Sequence, residues 1–203
     1  MSLLFETLKC QNRQLHNVQC HDNRVKLSRE NLLGISGNFD FENTIEIPDW
    51  VGQGLYRCRV SYAENIEKVE FFAYEYKHPK TIQLHENQTF NYGFKYENRR
   101  GFSDLLKVYP MADDVIITQN NCLTDATYAN VAFYDGSKWF TPNTYLLAGT
   151  KRTYMVDNQL LRELKITFFD LAKFQKIALI NAMRGLELAY NFSFDGSKII
   201  VEF

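Results

Sequence analysis

Charge of one sign, paired cysteines and long apolar runs are what this chain has little of. Its 23 basic and 24 acidic residues leave a formal net charge of -1, so no general field attracts nucleic acid or an anionic membrane. Neither is expected as a partner. The four cysteines, Cys10, Cys20, Cys58 and Cys122, are far apart and form no CxxC pair, so neither a zinc site nor a disulfide framework is suggested. Cys20 adjoins His21, but two neighbouring ligands without a second pair do not make a metal site. His16 and His21 do not share a helical face, and no metal is expected. No run is apolar for the ~20 residues that span a bilayer. The opening Met1-Ser2-Leu3-Leu4-Phe5-Glu6 lacks the basic and apolar stretches of a signal peptide. A reduced, cytoplasmic setting is expected.

At 203 residues and 45% hydrophobic, the chain suffices for one sizeable core or two small domains. Leu4 to Lys9 reads as a strand. Asn17 to Leu33 has helical apolar spacing at Val18, Val25 and Leu32, and it sets His21 and Arg24 on one face, able to aim at a common target. Asn38 to Gln53 reads as a loop with a short helix, punctuated by Pro48 and Gly52. Leu55 to Tyr62 and Val69 to Tyr76 alternate as strands. These elements predict a small α/β domain over residues 1–86 and a second domain over 87–203. In the second, a helix is expected over Asn98 to Val108, halted before Pro110, and a short strand over Val115 to Thr118. Tyr128 to Tyr134 and Lys138 to Thr141 make strands joined by the hairpin turn Asp135-Gly136-Ser137-Lys138. The same Asp-Gly-Ser-Lys turn recurs at Asp195 to Lys198 between aromatic-rich strands.

Three places carry candidate chemistry. Lys95 stands among aromatics in Tyr92-Gly93-Phe94-Lys95-Tyr96-Glu97-Asn98-Arg99. An amine that forms an imine must spend time unprotonated, and apolar surroundings disfavour its charged form. The alternative is a surface lysine with a snorkelling stem. Gly149-Thr150-Lys151-Arg152 opens a helix expected to run to about Arg162. Cations in a first turn oppose the helix dipole, and a bound anion on the free N–H groups resolves that conflict, unless both side chains simply extend into water. Asn181, in Ile177-Ala178-Leu179-Ile180-Asn181-Ala182-Met183, is an amide in an apolar run. It either ends a core strand near a working loop or is a satisfied core amide.

Five stretches in order resemble the class IV aminotransferase family, the fold-type IV pyridoxal-phosphate enzymes that include branched-chain and D-amino-acid aminotransferases and aminodeoxychorismate lyase. They are Phe5-Glu6-Thr7; His21-Asp22-Asn23-Arg24; Lys95-Tyr96-Glu97-Asn98-Arg99; Leu123-Thr124-Asp125-Ala126-Thr127-Tyr128-Ala129-Asn130; and Thr141-Pro142 through Leu147-Ala148-Gly149-Thr150-Lys151-Arg152. The resemblance implies an α+β, two-domain fold with a small N-terminal α/β domain and a C-terminal mixed-sheet, barrel-like domain. It implies pyridoxal 5'-phosphate as cofactor, with Lys95 as covalent anchor and proton carrier. Arg24, Thr150 and Lys151 are implied at the cofactor phosphate, with Asn181 and Ala182 as a further phosphate contact. Asp125 aligns with the acid opposite the pyridine nitrogen, where the family usually has Glu, and Asn130 with a structural Asn. Glu6 is expected to be structural. Family members usually carry a longer segment in front of Phe-Glu-Thr, so the substrate side of the site is expected to differ.

The implied activity is amino transfer between an amino acid and a 2-oxo acid by a homodimer. One alternative is the aminodeoxychorismate lyase reaction, which eliminates pyruvate and leaves 4-aminobenzoate. Another is a non-catalytic cofactor-binding or interaction module. Tyr92, Tyr96, Tyr128 and Trp139 are pocket or core candidates. Arg99 and Arg100 could reach a substrate carboxylate, or pair with Glu97 or Asp104.

Overall fold

A computed structural model describes residues 4–203; Met1-Ser2-Leu3, part of the opening stretch read above, lie outside the described residues. Contacts divide the chain into two compact units. One is the chain up to Tyr76 together with Phe94–Asn98, and the other is Lys77–Gly93 together with Arg99–Phe203. The Lys95 segment therefore belongs by its contacts to the first unit, which the pattern-based division at 86/87 does not anticipate.

The first unit contains β1 (Leu4–Gln11), β2 (Gln14–His16), α1 (Val18–Leu33), α2 (Phe41–Thr44), β3 (Leu55–Tyr62) and β4 (Ile66–Ala73). Its strands form an antiparallel sheet in the order β2-β1-β3-β4. On β1 the period of two puts Leu4, Glu6, Leu8 and Cys10 on one face, and all four are buried. Leu4, Leu8 and Cys10 pack there with Val25 of α1 and with Cys58 and Val60 of β3. Helix α1 buries His21, Asp22, Val25 and Ser28, a stripe at helical spacing. It stops at Gly34, whose φ of 67° is the left-handed conformation that glycine adopts without strain. Asp22 accepts the Phe41 N–H at 3.0 Å and so ties α2 to α1.

The short β2 reaches only the last residues of β1. At the other end of the same edge, the Phe5 N–H donates to the Lys95 carbonyl at 3.0 Å, and Leu4 bridges Tyr96. The Lys95 segment thus completes the edge that β2 leaves open.

The second unit contains β5 (Thr81–Glu86), α3 (Arg100–Val108), β6 (Asp114–Gln119), β7 (Cys122–Ala126), β8 (Asn130–Tyr134), β9 (Trp139–Pro142), α4 (Thr150–Asp157), β10 (Arg162–Leu164), β11 (Lys176–Ile180), β12 (Ala189–Phe194) and β13 (Lys198–Glu202). Strands β8, β11, β12, β13, β5, β6 and β7 follow one another around a closed seven-strand barrel. One ladder pair, Asp125 with Asn130, joins β7 back to β8 and closes it. Neighbours β5 and β6 are parallel, which requires a crossover, and α3 lies in it.

Inside the barrel pack Ile82, Ile116, Leu123, Val131, Phe133, Ile177, Leu179 and Ile199. Truncating the fully buried Phe133 to alanine costs ~3–5 kcal/mol for a site of this kind. The alternate residues of β8 and β11 face outward, where Ala132, Ala178 and Ile180 receive Met155 and Leu161, the first of them from α4. Small alanines on that outer face let the helix seat closely.

Several expectations need correction. The helix opened by Gly149 ends at Asp157, not near Arg162. Gln159 takes a φ of 59°, and the Leu160 and Leu161 N–H groups both turn back to the Met155 carbonyl. That reversal buries Leu161 and sends Arg162–Leu164 off as a strand parallel to β9. The strand read as Val69 to Tyr76 is Ile66–Ala73. Strands β5 and β7 were not anticipated. All five residues of β7 are buried, Thr124 and Asp125 among them, so its apolar pattern is broken by polar groups satisfied within the fold. Both Asp-Gly-Ser-Lys turns are present, with Asp135 accepting from Ser137 and Lys138, and Asp195 from Ser197 and Lys198.

Candidate active site

Two groups of residues gather the sequence candidates, one in each unit. In the first unit, Lys95 is half-buried, and its Nζ stands 4.8 Å from the centre of the Phe5 ring. The next acid, Glu97, anchors the segment from its other side: it accepts from Ser61 Oγ at 2.6 Å and from the Arg59 guanidinium, both on β3. The Ser61 hydrogen bond leads the effects that hold the Glu97 carboxyl below its usual range, followed among the lowering causes by Arg59. Lys95 is therefore fixed through its main chain to β1 and through Glu97 to β3.

His21 and Arg24 do aim at a common target, and it is Glu6. The His21 Nδ1 donates to Glu6 Oε2 at 2.6 Å, and Arg24 grips the same carboxylate through Nε, at 2.8 Å from Oε1, and through Nη2. Burial alone would push the Glu6 carboxyl up. The Arg24 charge and the His21 hydrogen bond outweigh it and bring it down to about 2. Burial is also the largest effect on His21, lowering its pKa and keeping the ring neutral beside a paired charge. Sequence reasoning left Glu6 as a structural residue without finding its partners. A signal was present: a carboxylate on the apolar face of β1 needs a buried cation, and α1 offers one.

In the second unit, the candidates gather at one end of the barrel. Asp125 is the penultimate residue of β7, and its carboxylate is hydrogen-bonded within the protein. Oδ1 accepts from Asn130 Nδ2 at 2.7 Å, while Oδ2 accepts from the Leu146 and Leu147 N–H groups at 3.1 and 2.9 Å. Burial pushes the carboxyl up to about 6 against these neutral donors and the charge of Arg152. Asn130 Nδ2 donates also to the Leu147 carbonyl at 2.9 Å. Its Oδ1 lies against Gly149 so closely that a Cβ there would stand 1.9 Å from it. Only glycine fits that approach, and Gly149 immediately precedes α4.

The start of α4 carries no acid in its first turn. Lys151 directs Nζ toward the Tyr154 ring, 5.6 Å from its centre. Arg152 does not extend into water: it is buried, stacked 4.0 Å over Tyr145, and donates to the Pro142 carbonyl and to Glu163. One of the two first-turn cations is thus neutralised within the fold. Strand β11 ends where Ile180 pairs with Asn130, and the chain turns through Asn181-Ala182-Met183-Arg184. Asn181 is half-buried, not a core amide. Its Oδ1 accepts the Met183 N–H at 2.9 Å, and its Nδ2 donates to the Tyr128 carbonyl at 3.1 Å, tying this turn to the one between β7 and β8.

Of the two arginines after Lys95, Arg100 pairs with Asp104 at 3.5 Å, as one expectation had it. Arg99 instead donates to Tyr92 Oη and to the Thr127 carbonyl and lies over the Tyr92, Phe102 and Tyr128 rings. Among the described residues, no helix is long and apolar enough to cross a membrane, and no three His, Cys, Asp or Glu are placed to hold a metal.

The family model for amino-transferase class IV matches residues 109–187. An uncharacterized Haemophilus influenzae protein is 32% identical over 185 residues, which is 90% of this chain and 98% of that one. The chain belongs to the class IV aminotransferase family. Among solved structures, a Haemophilus somnus protein provisionally named a 4-amino-4-deoxychorismate lyase is 26% identical with a TM-score of 0.78, over 92% of this chain and 98% of that one. The pyridoxal-phosphate-bound form of a hypothetical aminotransferase from Mycobacterium tuberculosis shares the fold, with a TM-score of 0.73 at 16% identity, over 90% of this chain and 78% of its own. The two-unit architecture with its closed barrel is accordingly the fold-type IV architecture. The class IV match itself covers α4, Asp125, Asn130 and the Asn181 turn.

The residues present suit the anionic end of the cofactor that this family implies. Thr150, Lys151 and Arg152 open α4, and first-turn N–H groups have no carbonyl one turn back inside their helix. Gly149 leaves room for the Asn130 side chain beside them.

Proposed function

We propose that this chain is a pyridoxal-phosphate-dependent enzyme that moves an amino group between an amino acid and a 2-oxo acid. The observation that supports the reading most is the setting of Lys95, an amine held over an aromatic ring by a segment clamped at two points to the first unit's sheet. When bound, pyridoxal phosphate supplies the electron sink that makes the substrate's α-proton acidic. Lys95 would hold the cofactor covalently, and its amine would serve as the base that takes up the substrate's α-proton. Arg24 holds the phosphate as a pre-aimed bidentate donor, because Glu6 fixes its rotamer. Thr150 and Lys151 contribute main-chain N–H groups, and the turn at Asn181 and Ala182 a further contact. Asp125 aligns with the family's acid opposite the pyridine nitrogen, where a carboxylate would keep the ring protonated. A homodimer working on small amino and 2-oxo acids completes the reading.

A second reading is favoured by the likeness to the provisionally named Haemophilus somnus lyase: elimination of pyruvate from aminodeoxychorismate. Both reactions need Lys95 to remove the α-proton, and they part in which bond breaks next. Incubation with aminodeoxychorismate and no 2-oxo acid, followed by assay for pyruvate, separates them. Amino transfer predicts turnover only when a 2-oxo acid acceptor is supplied; pyruvate release without one replaces it by the lyase.

A further inference from the structure

The barrel of the second unit has another mouth, at the end away from Asp125, Asn130 and the Asn181 turn. Strands β5 and β6 end side by side there, with Glu86 opposite Thr118, and Asn121 lies in the turn that leads into β7. The turn between β12 and β13 comes to the same place, where the Leu84 N–H donates to the Ser197 carbonyl at 3.0 Å, and Phe168 is tied in through its N–H on the Asn121 carbonyl at 3.2 Å. A cleft of about 270 Å³ opens between these residues. Leu84 and Phe168, both packed on the barrel core, give it an apolar side. Thr118, 2% exposed, gives its hydroxyl proton to Glu86 Oε2 at 2.5 Å, and Gln88 donates to Oε1. The carboxylate is thereby oriented, and both of its oxygens keep acceptor capacity. The Asn121 amide is exposed and has no hydrogen-bond partner among the described residues. No residue lining the cleft is cationic.

We propose that this cleft is a second small-molecule site, one that takes a small primary amine with an apolar body. Its room of about 270 Å³ lies just below the ~300–1,000 Å³ of most small-molecule sites, which limits the occupant to about one ring or a short chain. The charged group in the lining is a carboxylate, so the polar end of the occupant is a cation. An ammonium carries three donors and no acceptor, and Glu86 together with the Asn121 side-chain oxygen offers it acceptors on two sides. The apolar body lies against Leu84 and the Phe168 ring. Thr118 aims the carboxylate and leaves its remaining lone pairs to the ligand. Nothing in this site depends on pyridoxal phosphate.

Two probes that differ only in charge test it. The full chain, isotope-labelled and without pyridoxal phosphate, is titrated by amide NMR with phenethylamine hydrochloride and, separately, with phenylethyl alcohol, which has the same body and no charge. Saturable shifts are expected at Glu86, Thr118, Asn121 and Ser197, with a Kd of the order of millimolar for the amine. The alcohol should bind about fivefold more weakly, the upper end of what one exposed ion pair contributes. Glu86→Gln keeps an acceptor for Thr118 and should bind the two probes alike. Equal affinity of wild type for amine and alcohol overturns the proposal, and so does a preference for the amine that survives in Glu86→Gln. Shifts that never saturate, or that centre on other residues, overturn it too, because they report surface association only. The comparison of probes on wild type decides the question without the variant, should Glu86→Gln fail to fold.

Discussion

Glu6 and Asp125 are both buried carboxylates at candidate positions, and their surroundings drive them in opposite directions. Glu6 meets a guanidinium and an imidazole N–H, and its carboxyl falls to about 2. Asp125 meets an amide and two main-chain N–H groups, and its carboxyl rises to about 6. Both are well hydrogen-bonded. The difference is that a full opposite charge in direct contact offsets the cost of burying an anion, whereas three dipoles, with the Arg152 charge the least of the lowering causes, do not. In the first unit the anion exists to orient a cation. In the second, an anion held at some cost organises a loop.

The largest effect expected from breaking this contrast is at Glu6. Glu6→Gln leaves Arg24, largely buried, without its counter-charge. The wild-type shift from 4.5 to about 2 corresponds to about 3 kcal/mol at neutral pH. Because the folded-state pKa is depressed, this stability is present above pH 4.5 and is lost as pH falls toward 2. Urea unfolding at neutral pH should show the variant destabilised by that amount, with the gap to wild type closing in acid.

Asp125 gives the opposite slope. Its folded-state pKa is raised from 3.8 to about 6, so the folded state holds the proton more tightly than the unfolded one. The corresponding stability is present below pH 3.8 and is lost as pH rises through 6, about 3 kcal/mol across that window. Asp125→Asn should flatten this segment of the stability profile. At pH 7 its net effect on unfolding should be about 1 kcal/mol or less, because removing a buried charge offsets the poorer match to Asn130. A wild-type profile that does not fall between pH 4 and 6 relative to Asp125→Asn would contradict the contrast.

The architecture was legible wherever local chemistry decided it. Alternation marked β1 and β3, the Asp-Gly-Ser-Lys turns marked two hairpins, and helical spacing marked α1. Strand β7 escaped because its Thr124 and Asp125 are satisfied by groups distant in sequence, Ile117 and Leu146–Leu147, which no local pattern reveals. The length of α4 escaped for the same reason: Leu161 leaves the helix to enter a core built by β8 and β11. At the candidate site, the segment order was legible as motifs, and so was the pairing of His21 with Arg24. Their target was not, since it required knowing that Glu6 shares the inward face of β1 with Leu4 and Leu8.

Two smaller changes sharpen the comparison. Gly149→Ala places a methyl group 1.9 Å from Asn130 Oδ1, and overpacking of that kind costs ~1–3 kcal/mol. Thermal unfolding of the single variant beside Gly149→Ala/Asn130→Ala should show the second substitution relieving part of the loss. Ser61→Ala removes one of the two donors that hold Glu97, at a cost of about 1 kcal/mol. Denaturant titration should find it well below Glu6→Gln.

The account stands most directly on Lys95. The protein should be incubated with pyridoxal phosphate, reduced with sodium borohydride, digested and mapped by mass spectrometry, with Lys95→Ala alongside. The account predicts a stable phosphopyridoxyl adduct on the peptide carrying Lys95 and none in the variant. An unmodified Lys95, or an adduct only on another lysine such as Lys151, would contradict it.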